Sequence, residues 1–403
     1  MGDLTLLTGL LGLLLVVGIL LRMVAERTSI PSLVWFILLG FLLRTLEFHT
    51  GALPDGTSSL LDFLGAVGVV FLLFGVGLKV DIRGLYSTLP RAGGIWVGNV
   101  LVSAALGFLV TRYLLDAALL PSLLVAVALT ATSVGVTVAV WDEKDALDSE
   151  EGEILLDVAE MDDISAVILM AVLFALLPTL QASSQEISLA AAAGPVAFII
   201  LKGLGFGLFC LVFANKAEGR ITDFLSREEE ANRILVVSGV GLVIASLADA
   251  LGFSLAIGAF FAGMVFSVDP ERIREERSFQ ALHGFFVPFF FLGIGFQVDP
   301  GAMGGALGPA FILLAVAILG KVLGVLLPAL PLLSAGSALL LGVSMIPRAE
   351  IAMIVMERGL ARGEGLVDPA LFGAMVLVTL VTCLMSPALV GWGLSRNPHI
   401  DTS

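Results

Sequence analysis

Four carboxylates, Asp157, Glu160, Asp162 and Asp163, stand inside one apolar stretch of this chain, residues 154–177. Carboxylate oxygens are hard ligands for hard cations, and the same oxygens take up and release protons. On a helix, Glu160 and Asp163 share a face, three positions apart. Asp162 points ~100° away from Asp163, as neighbouring helical residues must. Two adjacent carboxylates can therefore serve two partners, one facing a cation path and the other an ammonium group. Basic residues stand in two other apolar stretches: Lys321 between Gly320 and Gly324, and Arg348 after Pro347 and before Glu350. A desolvated lysine can give up its proton, whereas an arginine keeps its own and suits a fixed counter-charge. Ion pairing that only staples helices together is the alternative role for all these groups. For Arg348 with Glu350 or Glu160 the two roles stand side by side. Lys202, in a further apolar stretch, reads as a side chain snorkelling toward an interface.

Uncharged oxygens come from two places where a helix should break. Thr130, Thr132, Ser133 and Thr137 surround Gly135 in one apolar stretch, and small hydroxyl residues weaken a helix while offering oxygen ligands. The other stretch contains Ser344, Pro347, Arg348 and Glu350, where the proline removes a helical hydrogen bond. At membrane depth, broken backbone is tolerated only where it lines a cavity or is buried in protein.

The elements that must hold these groups follow from composition. The chain has 403 residues, 58% hydrophobic and only 14% charged, with a mean hydropathy of +1.05. Soluble globular proteins are about 45–50% apolar and about 25% charged, so a water-soluble enzyme is excluded, as is disorder. A net charge of −14 argues against a nucleic-acid partner. Cys210 and Cys383 both lie in apolar runs and are expected to form neither a disulfide framework nor a metal site.

A membrane span takes ~20 residues. Thirteen candidate spans can be marked, at 4–21, 28–43, 60–78, 92–111, 120–140, 154–177, 189–214, 234–248, 252–267, 281–296, 308–327, 335–356 and 367–391. The first lacks a basic leader and is expected to be a true span rather than a cleaved signal. Fourteen Lys and Arg residues follow odd-numbered spans, four follow even-numbered spans, and Lys202, Lys321 and Arg348 lie within spans. That asymmetry predicts an all-α polytopic membrane protein with its N-terminus outside and its C-terminus in the cytoplasm. If spans 1–6 and 8–13 form two inverted six-helix repeats joined by span 7, the broken spans are the fifth of each half. Paired interruptions of this kind are a sequence pointer to a transporter's binding site. The acidic excess concentrates nearby: Asp142 to Glu153 holds seven acids and one lysine, either as a solvated face or as an attractor of cations at the inner mouth.

At these residues the chain resembles the monovalent cation:proton antiporter superfamily, in particular the NapA-type bacterial sodium/proton antiporters of its second main family. Ala131 to Val134 resembles the family's unwound crossing helix, Asp162-Asp163 its double-aspartate signature, and Lys321 the lysine opposite that pair. Residues 346–350 resemble the second unwound helix, and the stretches 252–263 and 288–299 also fit. Glu160 departs from the pattern, standing where a neutral residue is expected, and Asp157 adds a further acid. The resemblance implies two crossing discontinuous helices and exchange of Na⁺ or Li⁺, with K⁺ an alternative, for protons by alternating access. It implies Asp163 as the main cation ligand, with Asp162, Thr132 and Ser133 contributing oxygens. Asp162 would pair with Lys321 in the cation-free state, with either of them carrying a second proton in an electrogenic cycle. Arg348, Glu350 and Glu160 would balance the helix ends at the crossing.

The same resemblance implies scaffold and dimerisation helices at residues 1–80 and 231–300, core helices at 81–178 and 301–403, and a linking helix at 179–230. It implies a homodimer among lipids of a bacterial or archaeal inner membrane, with no cofactor beyond the transported ions. A sodium-coupled organic-anion symporter of related architecture is the main alternative, since Arg348 or Lys321 offers an anion partner. The titratable carboxylate–lysine set argues against a channel. An intramembrane enzyme is not expected, because His49, His283 and His399 form no HExxH motif.

Overall fold

In the computed structural model, residues 2–28, 30–78, 82–133, 135–182, 230–251, 254–266, 277–363, 366–397 and 400 are described, with part of 201–212. Among these residues the regular structure is helical: α1 Gly2–Glu26, α2 Ser32–Thr50, α3 Thr57–Leu78, α4 Ile82–Leu109, α5 Leu119–Thr130, α6 Gly135–Glu143, α7 Glu150–Ala182, α8 Glu230–Ala250, α9 Leu255–Val265, α10 Arg277–Gln297, α11 Met303–Ala329, α12 Ala335–Ser344, α13 Glu350–Ala361 and α14 Pro369–Ser395. The ends carry local signals. Asp368 accepts a hydrogen bond from Leu371 N at 2.8 Å, with Pro369 in the first helical position, which caps α14. Ser334 accepts from Ser337 N at 3.2 Å and starts α12. Gly51, at φ 58°, closes α2 in the left-handed conformation that glycine adopts without strain.

Among the described residues, eight helical stretches are long and apolar enough to cross a membrane. They coincide with candidate spans one to five, ten, eleven and thirteen, the fifth being Leu119–Glu143 taken across its break. Three further apolar helices, Leu235–Ala250, Leu255–Val265 and Ala335–Ser344, are shorter. Helix α7 has the length of a span but carries the four intramembrane acids. Most of span seven, and of the linking helix expected at 179–230, lies outside the described residues.

Contacts group the chain into two units. One comprises 62–81 and 167–290. In it a Cβ on Gly77 would sit 2.1 Å from Phe260 O, and one on Gly263 2.2 Å from Phe74 O, so α3 and α9 touch backbone to backbone. Phe71 stacks on Phe286 with ring centroids 5.3 Å apart. The other unit comprises 1–61, 82–166 and 291–403 and holds every intramembrane site residue named above. Within it α11 packs along α4, α12 and α14. A buried apolar cluster gathers Trp141, Ile154, Leu155, Val158, Met161, Leu341, Met345, Val390 and Ile400. Small residues at a helix crossing let backbones approach in a membrane, where the hydrophobic effect does not drive helices together. Here a Cβ on Gly324 would lie 2.9 Å from Asn99 Cα, and one on Gly320 3.2 Å from Ser103 Cα. These two glycines flank Lys321 and seat it against α4.

Candidate functional site

Both expected breaks are present. Helix α5 stops at Thr130, and Ala131 turns extended at φ −62°, ψ 147°. The chain becomes helical again at Gly135. Helix α12 stops at Ser344, and α13 starts at Glu350. Ala131, Thr132, Ser133, Met345, Ile346, Arg348 and Ala349 are all buried, as non-helical backbone at membrane depth must be. The breaks meet directly, because Ser133 N–H donates to Pro347 O at 2.9 Å.

Helix ends concentrate charge, with carbonyls at the C-terminus presenting a negative end and N–H groups at the N-terminus a positive one. The last carbonyls of α5 are met by two cations. Lys321 Nζ donates to Thr130 O at 2.7 Å, and Arg348 Nη1 donates to Ala131 O. Arg348 Nη2 also donates to Ala317 O at 3.3 Å. Its backbone is held by α14: Arg348 N donates to Thr382 Oγ1 at 3.2 Å and Cys383 Sγ donates to Arg348 O at 3.3 Å. Glu350 occupies the first turn of α13, where a negative charge faces the positive helix end.

Asp162 is the hub. Its side chain and that of Lys321 are both 0% exposed, and Lys321 Nζ lies 2.7 Å from Asp162 Oδ2. The same oxygen accepts from Thr132 Oγ1 at 2.6 Å and from Asn99 Nδ2 at 2.6 Å. Three elements thus converge on one carboxylate oxygen: α11 through Lys321, the first break through Thr132, and α4 through Asn99. Among the described residues no donor reaches Asp162 Oδ1. Helix α4 grips α7 a second time, Trp96 Nε1 donating to Ser165 Oγ at 3.2 Å and Ser165 Oγ to Asp162 O at 3.0 Å.

Of the residues singled out from sequence, Asp162, Thr132 and Lys321 are brought together on one carboxylate. Ser133 takes part through its main chain. Asp163, next to Asp162, is half-buried, and Glu160 lies exposed on the same helix. Arg348 is fully buried at the crossing of the breaks, with carbonyl groups as its hydrogen-bond acceptors. Asn99 was not among the sequence candidates. It is 0% exposed, and being the lone amide in span four, residues 92–111, is the one sequence signal it carries. The acidic segment lies at the ends of these helices. Arg91 Nη1 bonds Glu153 Oε2 at 2.8 Å and Arg91 Nη2 bonds Glu150 O at 3.0 Å, while Ser337 Oγ donates to Glu151 Oε1 at 2.7 Å.

The arrangement can hold one positive charge at a time against a buried carboxylate, and it offers hydroxyl, amide and backbone oxygens around it. Such oxygens suit a hard, weakly held ion. Among the described residues no group of three or more His, Cys, Asp or Glu is placed to hold a metal ion.

Residues 12–395 match the family described as sodium/hydrogen exchanger, transmembrane. The chain is 29% identical over 340 residues to the high-affinity Na⁺/H⁺ antiporter NhaS3 of Synechocystis, covering 82% of this chain and 70% of that protein. It is 27% identical over 385 residues to a Na⁺/H⁺ antiporter of Enterococcus hirae, covering 95% and 96% of the two chains. Among solved structures, the sodium proton antiporter MjNhaP1 of Methanocaldococcus jannaschii superimposes with a TM-score of 0.69, at 17% identity, over 99% of this chain and 98% of that one. That likeness establishes the antiporter fold.

Proposed function

The chain belongs to the sodium/hydrogen exchanger family, and from that premise we propose that it exchanges Na⁺ for protons across a membrane by alternating access. The observation that carries this reading is the fully buried Asp162–Lys321 pair beside the crossing of two broken helices. It is a membrane-embedded ion pair with a second carboxylate, Asp163, adjacent in sequence. An intramembrane charge of this kind marks an ion or proton pathway by default.

In the proposed cycle, the proton-loaded state has a protonated Asp163 and an ammonium Lys321 paired with Asp162. Cation entry requires Asp163 to release its proton. The arriving Na⁺ neutralises Asp162 in place of Lys321, which then releases a second proton. Thr132 and Ser133 contribute oxygens to the cation. Two protons leave for each Na⁺ bound, so one net charge crosses per cycle and the exchange is electrogenic. Arg348 and Glu350 keep the helix ends balanced in both states, and neither changes protonation. Proton and cation compete for the same carboxylates, so coupling needs no separate gate.

The moving core is built from α4–α7 and α11–α14, and the protein works as a homodimer in the inner membrane of a bacterium or archaeon, N-terminus outside. Proton flux in reconstituted vesicles, with Li⁺, Na⁺ and K⁺ offered in turn, tests the reading. Proton movement on Na⁺ alone separates exchange from sodium-coupled symport, which needs its co-substrate. Asp163→Asn is expected to abolish flux with every ion, and undiminished exchange in that variant removes Asp163 from the site.

A further inference from the structure

Asn99 is a primary amide buried completely inside a transmembrane helix, a placement that is unfavourable unless its donor and acceptor are both used. Its donor is used: Nδ2 lies 2.6 Å from Asp162 Oδ2. Its acceptor is not. Among the described residues Asn99 Oδ1 has no donor, and neither has Asp162 Oδ1. The two side chains are joined by one hydrogen bond, and each keeps one buried oxygen without a partner. Two buried acceptors side by side on a hydrogen-bonded pair form a place for a donor or a positive charge.

The helix packing shows that this amide is held in place. Gly324, one turn beyond Lys321 on α11, lies against Asn99, where a Cβ would come within 2.9 Å of Asn99 Cα. The same glycine-flanked turn therefore fixes both Lys321 and Asn99 relative to Asp162. The two donors differ in kind. Lys321 can lose its proton and let go, whereas an amide N–H neither titrates nor carries charge. When Lys321 withdraws, Asn99 and Thr132 still hold Asp162 Oδ2, so Oδ1 keeps its direction. An amide carbonyl is also a neutral hard-oxygen ligand, and it adds none of the repulsion that a further carboxylate would bring.

We infer that Asn99 is a further residue of the exchange site: its N–H positions the Asp162 carboxylate throughout the cycle, and its carbonyl oxygen is a ligand of the alkali cation. This assignment rests on the exchange reading above. With the cation absent, Lys321 supplies the positive charge on Asp162 Oδ2, and the amide N–H keeps the carboxylate oriented for the ion that displaces the lysine.

Full-length protein in detergent and in vesicles tests the assignment, with NaCl or LiCl as the probe. Two readouts are used, cation-dependent thermal stabilisation and the Na⁺ concentration for half-maximal proton flux at several pH values. Asn99→Leu keeps the volume and removes both polar atoms, and is expected to raise the half-maximal Na⁺ concentration by about ten-fold or more and to lose the thermal stabilisation by Na⁺. Asn99→Asp keeps an oxygen ligand and loses the donor; it is expected to retain stabilisation by Na⁺ while its pH profile of exchange moves. Gly94→Ala, on the exposed face of α4 with nothing within 4 Å of its new Cβ, is expected to match wild type. An Asn99→Leu protein with the wild-type Na⁺ midpoint overturns the assignment. If that variant does not fold, an Asn99→Asp protein with an unmoved pH profile overturns it instead. Wild type that shows neither exchange nor cation-dependent stabilisation removes the exchange reading itself, which separates that failure from a failure at Asn99 alone.

Discussion

Ser133 and Pro347 are 214 positions apart in the chain, yet the N–H of one donates to the carbonyl of the other at 2.9 Å. The bond is main chain to main chain, so it joins the two breaks without regard to side-chain identity. It also explains why each interruption needs the other. Buried backbone groups freed by one break must find partners, and a second break supplies them. Thr130 O and Ala131 O, freed by the same interruption, find Lys321 and Arg348. The site is in this sense a by-product of satisfying broken helices inside a bilayer.

Removing Lys321 should separate a structural staple from a working group. Breaking a buried ion pair by deleting one partner typically costs about 3–5 kcal/mol. Here Asn99 and Thr132 still donate to Asp162 Oδ2, so the loss for Lys321→Ala is expected at the lower end, about 3 kcal/mol. Thermal unfolding in detergent measures it. Added Na⁺ should stabilise the variant more than it stabilises wild type, because the ion takes the place of the missing ammonium beside Asp162. The exchange current should vanish while electroneutral flux remains. An unchanged current with no sodium rescue assigns Lys321 to stapling.

Gly324→Ala touches no ion ligand by chemistry, only by geometry. Its Cβ would stand 2.9 Å from Asn99 Cα and 3.0 Å from Gly98 O, both main-chain atoms that cannot swing away. Helix α4 must move off α11, and Asn99 moves with it. Misplacement of a site group by about 1 Å can lower rates ~100-fold, so exchange should fall by roughly ten-fold or more in a protein that still folds. Gly308→Ala on the same helix has nothing within 4 Å of its Cβ and is expected to leave flux unchanged. Equal flux in the two variants would show that the close approach of α4 to α11 does not set the site.

The two substitutions also mark what was legible beforehand. Hydropathy outlined the eight long apolar helices found among the described residues, since apolar length is the strongest signal a membrane chain carries. The carboxylate pair, Lys321, Thr132 and Pro347 stood out because charge, hydroxyl clusters and proline are expensive inside a bilayer. Asn99 did not: one amide among apolar neighbours has no period, and its meaning comes from α7 and α11 packed against it. Gly320 and Gly324 were visible as glycines, but the backbone they receive is 217 or more positions away in the chain, and spacing along one helix does not name a partner. The role of Ser133 was legible only by position, because the group it uses toward Pro347 is its backbone N–H.

Arg348 is expected to matter for folding more than for turnover. Its guanidinium reaches Ala131 O and Ala317 O together, a forked geometry that a single ammonium does not reproduce. Ala131 O, freed by the break, would be left buried without a donor at a cost of about 1–3 kcal/mol, whereas Ala317 O keeps its helical partner within α11. Arg348→Ala should therefore lower the unfolding midpoint sharply, and Arg348→Lys should recover only part of it. Because the arginine stays charged throughout, neither variant should alter how the apparent affinity for Na⁺ depends on pH. A change in that pH dependence would give Arg348 a part in proton exchange.

That pH dependence is the most direct signature of the proposed site. If a proton and Na⁺ compete for the same groups, protons raise the Na⁺ concentration needed for half-maximal flux. The sign is fixed: apparent affinity for Na⁺ improves as pH rises and worsens as it falls. By linkage, displacement of one proton per cation shifts the half-maximal concentration about ten-fold per pH unit over the acidic range, and displacement of two shifts it about a hundred-fold. Wild type, with Asp163 and Lys321 both releasing protons, should show the steeper slope. Lys321→Ala retains the proton on Asp163 only, and its slope should fall to that of one proton. The plot is made from flux at saturating buffer capacity, with log half-maximal Na⁺ against pH. A flat line for wild type means that cation and proton do not share a site, and shared carboxylates are then the wrong basis for coupling. Equal slopes in wild type and Lys321→Ala would leave competition intact but remove the lysine as the second proton carrier, returning that role to Asp162.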